Sequence, residues 1–579
     1  MIILGVNAYH GDASAAIVVD GQLVACVEEE RFSRVKHAAG FPYESVKFCL
    51  KQAGVDIKQV DFIAVPRDPR ARLFTKIYYG LKIPKLAARR LLALHKTQGI
   101  KKTVAGMLGV DEKTIRAPLV NIEHHQAHIA SSFFVSPFDK AALFSEDGLG
   151  DFASTMWGMG QGNRVNIAGS ISFPHSLGMY YTAVTQYLGF LSYGDEYKVM
   201  GLAALGKPSY HKEFEKILRY DKDLRFSLGL EYFLHHKKMV DMNFEEGYPT
   251  LEALYSKGLE RLLGRHREKD EPLEQRHKDI SASLQERIEE VVFALVNDLY
   301  KLYDYKQLCL SGGVAYNCVV NGKLLDKTPF SDIYVPPAAG DAGLAIGAVY
   351  YVWNQVLGKP RGFLLDHAYW GPSYDMEAIG KQLTEMSAEL SAQGCRIEKV
   401  DDDTRLFKAT AQAISEGKIV GWFQGRMEWG PRALGNRSIV VDPRRHDMKD
   451  TLNKRIKHRE TFRPFAPSVL EEKVGEYFDK SHPSPFMLFT YNVLPDKRDV
   501  IPAPTHVDGT GRLQTVSKKI NPRYWNLIKE FENITGVPVL LNTSFNENEP
   551  VVNTPRQALE CFLRTKMDMV VLENYMIYK

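Results

Sequence analysis

The sequence predicts an α/β protein in which a duplicated domain is followed by a second α/β domain, and three observations carry that prediction. A chain of 579 residues with 45% hydrophobic content is too long for one core. One pattern, an apolar strand followed by a turn of small or acidic residues and a second strand, occurs in IILGVNAYHGDASAAIVVDG (2–21) and again in AALFSEDGLGDFASTMWGMG (141–160). A third feature, a strand running through glycines into a helix, recurs in KQLCLSGGVAYN (306–317) and SDIYVPPAAGDAGLAIGA (331–348).

Taken in order, Asp20-Gly21 between apolar runs is a hairpin turn, and the small-residue turn around His10 lets backbone approach a ligand. FPYESVKFCLKQAG has helical spacing, DFIAVP reads as a strand, and the basic stretch from Arg70 to Lys102 reads as a solvated helical face. SLGMYYTAVTQYLGF (176–190) has helical spacing, and GDEYKVMGLAALG (194–206) reads as a polar loop into a short helix. Residues 209–278, rich in charge, read as a mostly helical insertion, a cap facing substrate, before a long helix near 279–303. The first domain is expected over 1–357, a linker without periodicity over 358–374, and the second domain over 375–579.

Composition narrows the function classes. A net charge of +4 is near balance, so no bulk field announces nucleic acid or a membrane. Six scattered cysteines without a C-x-x-C pair argue against a disulfide framework or a zinc ribbon. No run approaches 18 apolar residues, and Met1 leads directly into a strand pattern, so a cytoplasmic protein without membrane association is expected.

Chemistry concentrates in two places. In VNIEHHQAHIASSFF, His124 and His128 are four apart, which at helical pitch puts two imidazoles on one face, while His125 points away or offers an alternative. Asp147 and Asp341 each follow an apolar run and enter a Gly-rich turn, so they are the carboxylates to complete a metal site. Such a mixture of ligands suits Fe(II), Mn(II) or Zn(II). The second place is the run from Arg426 to Arg463, with 11 Lys or Arg against 5 Asp or Glu. Arg432 and Arg437 sit there among Gly, Pro and Ala, and Arg459 and Arg463 flank the approach to Pro464. Loop arginines of this kind suit phosphate or carboxylate.

The segments NAYHGDASA, EEERFSRVKH, EHHQAH, EYKVMGLA, LSGGVAYN, GDAGLAIGA, GPRALGNRSI, HRETFRPFAPS and LNTSFN, in this order, together resemble the NodU/CmcH carbamoyltransferase family. The resemblance implies an N-terminal ASKHA-type domain, of the duplicated actin and Hsp70-like kind, and a C-terminal YrdC-like domain. It implies that the C-terminal domain makes carbamoyl-AMP from carbamoyl phosphate and ATP, with Mg2+ accompanying ATP. The N-terminal domain would then pass the carbamoyl group to a hydroxyl of a small-molecule natural product or sugar. It favours Fe2+ at His124, His128, Asp147 and Asp341. Arg432, Lys457, Arg463 and Arg512 fall on motif positions for the phosphate and carbamoyl groups, with Thr543 and Asn546 beside them. Gly312, Gly313 and Asn317 would hold the nucleotide in the transfer domain, and His10, in the turn facing it, would be the general base.

Other readings compete with this one. A sugar or acetate kinase of the same N-terminal fold leaves the C-terminal 200 residues and the histidine pair without a role. A tRNA-modifying carbamoyl or threonylcarbamoyl transferase is the nearer alternative, but the basic excess is confined to one run rather than a broad stripe. A non-enzymatic ATP-dependent interaction module would not consume carbamoyl phosphate. Nucleic acid is therefore not expected as a partner, and a homodimer is left open.

Overall fold

The computed structural model describes residues 1–579 except 84, 86–98, 239, 241 and 244–248. It divides into two compact units, Met1–Leu365 and Asp366–Lys579. Among the described residues no helix is long and apolar enough to cross a membrane.

The first unit contains one topology twice. In the first half, β1 (Ile2–Asn7) pairs antiparallel with β2 (Ser14–Val19), which pairs with β3 (Gln22–Glu28). On its other side β1 pairs parallel with β4 (Phe62–Val65), which pairs with β5 (Leu119–Asn121), giving the order β3-β2-β1-β4-β5. In the second half β6 (Lys140–Gly150), β7 (Ala153–Gln161) and β8 (Arg164–Ser172) form the antiparallel meander. Parallel strands β9 (Gln307–Ser311) and β10 (Asp332–Tyr334) then extend β6, giving β8-β7-β6-β9-β10. Three antiparallel strands continued by two parallel ones, in the same order twice, make this an ASKHA-type domain, and the parallel additions need crossover helices. In the first half the strand faces bury an apolar core with helix α1 (Tyr43–Ala53), in which Val6, Ile17, Val46, Cys49 and Ile63 pack together.

Two short helices carry the chemistry. Helix α2 (His124–Phe133) follows β5, and helix α3 (Leu344–Tyr350) follows a 3₁₀ turn at Asp341–Gly343. They lie backbone to backbone. A Cβ on Gly347 would sit 1.9 Å from the carbonyl oxygen of Ala127, so only glycine permits this approach. The small residues of GDAGLAIGA thus bring the start of α3 to the first turns of α2.

Some local expectations differ from the structure. Residues 209–278 are mixed rather than mostly helical. Helices cover His211–Ile217 and Lys257–Leu263, but Leu218–Lys222 and Arg225–Leu228 form an antiparallel hairpin. The charges hide a period-two pattern, in which Leu218, Phe226 and Leu228 are buried while the Asp-rich turn takes left-handed backbone at Lys222, Asp223 and Leu224. The turn is held by Asp298 of the long helix Gln275–Tyr303, whose carboxylate accepts from the Tyr220 hydroxyl and the Leu224 N–H. Of the basic stretch 70–102, Leu73–Lys82 is helical, and residues 84 and 86–98 lie outside the described residues. Asp147 stands within the irregular end of β6 rather than in a turn beyond it.

The second unit is built on one mixed sheet of eight strands. These are β11 (Arg396–Lys399), β12 (Val420–Phe423), β13 (Arg437–Val441), β14 (Ala466–Leu470), β15 (Gln514–Val516), β16 (Val539–Ser544), β17 (Met569–Leu572) and β18 (Tyr575–Tyr578). Their order is β11-β18-β17-β12-β13-β16-β14-β15. Ile379, Ile419, Phe423, Ile439, Leu541, Phe562 and Val570 pack in its core, so the unit has an apolar interior of its own.

Candidate active site

Helix α2 starts abruptly. Glu123 caps it by accepting from the N–H of Gln126 at 2.8 Å, and Asp151 accepts from the N–H of His124 at 3.2 Å. That fixes the first turn, on which His124 and His128 project side by side. Their Nε2 atoms are 3.1 Å apart. Asp147 Oδ2 lies 3.2 Å from His124 Nε2 and 3.8 Å from His128 Nε2. Asp341 Oδ1 lies 3.5 and 3.4 Å from the same two atoms. Four donor atoms thus converge within 4.8 Å of one another.

This donor set fits a single first-row cation. Bonds of ~2.1 Å from imidazole and carboxylate place neighbouring ligands about 3.0–3.4 Å apart, close to the separations here. Asp341 Oδ1 is buried without a hydrogen-bond partner among the described residues, a state that a bound cation would relieve. Neighbouring groups orient the ligands. Asp147 Oδ1 accepts from the N–H of Gly313 at 2.8 Å, which turns Oδ2 toward the histidines. Burial works against charge on His128, but the carboxylates of Asp147 and Asp341, 3.8 and 3.4 Å from its Nε2, outweigh it and hold the imidazole up to about 9. Burial also works against ionisation of Asp147, yet hydrogen bonds from the two histidines keep it well below the usual carboxylate range. His125 faces elsewhere, with Nδ1 2.9 Å from Ser145 Oγ, and burial keeps it neutral.

His10 joins this cluster through Asp341, with its Nδ1 3.1 Å from Asp341 Oδ2. A carboxylate only accepts, so Nδ1 carries the hydrogen and a neutral ring presents the Nε2 lone pair. One carboxylate therefore meets the His124–His128 cluster with Oδ1 and the His10 imidazole with Oδ2. The adjoining cavity of about 110 Å³ is lined by His10, Arg67, His124, Leu149, Gly150, Asp151 and Asp341.

Gly312, Gly313 and Asn317 stand beside the cluster with their polar groups engaged internally. The N–H of Gly312 donates to Ala339 and that of Gly313 to Asp147. Gly312 has φ +90°, and a Cβ there would meet the Glu146 carbonyl at 2.1 Å. Asn317 Oδ1 caps the helix Cys318–Lys327, and its Nδ2 donates to Gln285.

In the second unit, strand register puts the six expected residues at one end of the sheet. Ala466 pairs with Asn542 and Arg437 hydrogen-bonds Phe545, so the starts of β13 and β14 lie at the C-terminal end of β16. Arg432 and Arg463 precede those starts, Arg512 precedes the parallel strand β15, and Thr543 and Asn546 close β16. The Lys457 ammonium donates at 2.7 Å to the carbonyl oxygens of Ser544 and Asn546 and to Asn546 Oδ1. Arg437 departs from the expectation of a ligand-binding loop arginine. It is fully buried at the first position of β13, lies 3.6 Å from the Phe423 ring centroid, and donates to four backbone carbonyls.

Two groups escaped the sequence reading. Glu428 accepts three backbone N–H groups, from Leu434, Asn436 and Arg437, and so shapes the loop that carries Arg432. No local signal marks an acidic residue in a basic run for that role. Arg67 lines the first unit's cavity from the loop after β4, and only its position behind a strand hints at this.

Residues 2–350 match the family described as Carbamoyltransferase N-terminus, and residues 411–579 the one described as Carbamoyltransferase C-terminus. The chain is 42% identical to the uncharacterized protein sll1178 of Synechocystis sp., over 100% of its length and 96% of that relative's. It is 39% identical to the nodulation protein NolNO of Sinorhizobium fredii, over 99% of its length and 80% of the relative's. Nodulation protein U of the same species is 29% identical over 94% of both chains. Matched by both family descriptions in chain order and by relatives along most of their lengths, this enzyme belongs to the carbamoyltransferase family.

Proposed function

We propose that the second unit, read as YrdC-like, joins ATP and carbamoyl phosphate into carbamoyl-AMP. The first unit then passes the carbamoyl group to a hydroxyl of a small-molecule natural product or sugar. The observation that carries this reading is Asp341, whose two oxygens join His10 to the cluster of His124, His128 and Asp147. When bound there, Fe2+, or Mn2+ or Zn2+ in its place, would act as a Lewis acid toward the adenylate phosphate.

His124, His128, Asp147 and Asp341 would hold the ion. His10 Nε2 takes the proton of the acceptor hydroxyl as its oxygen attacks the carbamoyl carbon, while Asp341 keeps the ring oriented. Gly312 and Gly313 offer the nucleotide a surface free of side chains, and Asn317 holds the following helix against it. In the second unit, adenylation brings anions together, so it needs fixed cationic donors. Arg432, Arg463 and Arg512, gathered at one sheet end, supply them for ATP with its Mg2+ and for carbamoyl phosphate. Lys457 braces the loop that presents Thr543 and Asn546.

The test is pyrophosphate release by the full chain with ATP and Mg2+, with and without carbamoyl phosphate, followed by a panel of sugars and hydroxylated metabolites as acceptors. Release that does not depend on carbamoyl phosphate would sink the proposal.

A further inference from the structure

The cavity beside His10 contains one charged group that the mechanism above leaves unused. Its other polar groups are committed. His10 is bound to Asp341, and His124 faces Asp147 and Asp341. Asp151 accepts from the N–H groups of Asp68 at 2.7 Å and His124 at 3.2 Å and lies 3.7 Å from Lys76 Nζ. The Arg67 guanidinium lines the same space and makes no hydrogen bond or ion pair among the described residues. Burial works against its charge, and the fields of Asp151 and Asp341 oppose that effect.

The backbone around Arg67 is firmly held. Its N–H donates to Val65 at 2.8 Å, its carbonyl accepts from Asn121 Nδ2 at 2.8 Å, and Asp68 is bound to Asp151. Asp68 also accepts from the N–H of Arg70 at 2.8 Å. A rigid loop that leaves only a half-buried guanidinium unspent is preorganised to receive an anion. If it served only to balance Asp151 and Asp341, it would be expected to pair with one of them, and it pairs with neither.

Size narrows the ligand. At about 110 Å³ the cavity is well below the ~300–1,000 Å³ of sites that enclose a whole drug-sized ligand, so it takes only the end of one. Resting on the function proposed above, we infer that Arg67 binds the carbamoyl carbonyl oxygen as it becomes an oxyanion. The acceptor oxygen bonds to the carbamoyl carbon while its proton moves to His10 Nε2. The carbonyl π pair moves onto the oxygen facing Arg67. When that pair returns, the bond from carbon to the phosphate oxygen breaks and AMP leaves with its electrons.

The test uses the full chain with ATP, Mg2+ and carbamoyl phosphate, water and glycerol serving as acceptors, and follows pyrophosphate for adenylation and AMP for transfer. Arg67→Gln should release pyrophosphate at the wild-type rate in the first turnover but AMP about 10²–10³-fold more slowly, the range for loss of one oxyanion donor. AMP affinity by calorimetry should stay within threefold of wild type, and Arg67→Lys, which keeps the charge, should recover part of the rate. AMP release by a folded Arg67→Gln within threefold of wild type would overturn the inference. So would a tenfold weaker AMP affinity with an unchanged rate at saturation, which would make Arg67 a phosphate ligand. A wild type that releases no pyrophosphate would instead remove the functional reading, and the inference with it.

Discussion

Two of the first unit's clusters of histidine and carboxylate look alike in composition and differ in what they lack. In the cluster of Asp12, Glu30 and His37, donors meet acceptors. His37 Nδ1 lies 2.7 Å from Asp12 Oδ1, and the His37 N–H donates to Glu30 at 2.9 Å. In the cluster of His124, His128, Asp147 and Asp341, two imidazole nitrogens face each other and a buried carboxylate oxygen has no hydrogen-bond partner. One cluster pairs its donors with acceptors inside the protein, whereas the other leaves a buried carboxylate oxygen without such a partner. Ligand-type residues within reach of each other therefore say less about a metal than whether their lone pairs are already satisfied.

The largest expected effect falls on the second of these clusters. His128→Ala should bring metal content, measured by elemental analysis, to background and abolish carbamoyl transfer. That loss should exceed the ~10–100-fold typical of removing a partner outside the coordination sphere. Undiminished metal in that variant would erase the distinction between the clusters.

His10→Ala comes next. Single-turnover transfer from preformed carbamoyl-AMP should fall by about 10²–10⁴, with nucleotide affinity unchanged. A rate within a few-fold of wild type would take His10 out of the mechanism.

The comparison extends to the two units. Arg463→Ala should stop pyrophosphate release, while His124→Ala should leave it measurable and block transfer. Loss of both steps in His124→Ala would mean one shared centre.

The smallest effect is expected at His37. Burial disfavours its charge, but Asp12 outweighs burial and raises it from 6.5 to about 9. Because the folded value is the higher one, the Asp12–His37 pair contributes fully below about pH 6.5, and its contribution is lost as pH rises through about 9. Urea midpoints of wild type should therefore decline over that window relative to His37→Ala, whose metal content should equal that of wild type. Parallel curves would show that the pair contributes no stability.

Much of the site could be read from the sequence because it depends on spacing. His124 and His128 needed only helical pitch, and Asp147 and Asp341 were visible as acidic residues closing apolar runs. Their convergence was not visible. It depends on Gly347 admitting the Ala127 carbonyl and on Gly313 turning Asp147, contacts between segments more than 160 residues apart. The same limit misplaced Arg437. Its setting in a Gly-rich stretch resembled a binding loop, but strand pairing took it into the core. The hairpin 218–228 was missed because charge density outweighed a short alternation that becomes decisive only against Asp298. Arg67 had no motif at all, since what marks it is the absence of a partner in three dimensions.

Asp341 also bears on how the enzyme behaves when idle. Were a cation held there, its departure would leave Oδ1 to His128, 3.4 Å away, and would change the electron demand on the carboxylate whose other oxygen meets His10. Base strength and ion occupancy would then be joined through two covalent bonds, Oδ1 to Cγ and Cγ to Oδ2, with no moving part between. Emptying such a cluster would alter the strength of the His10 base and not only the handling of the phosphate, so the two could not be tuned separately.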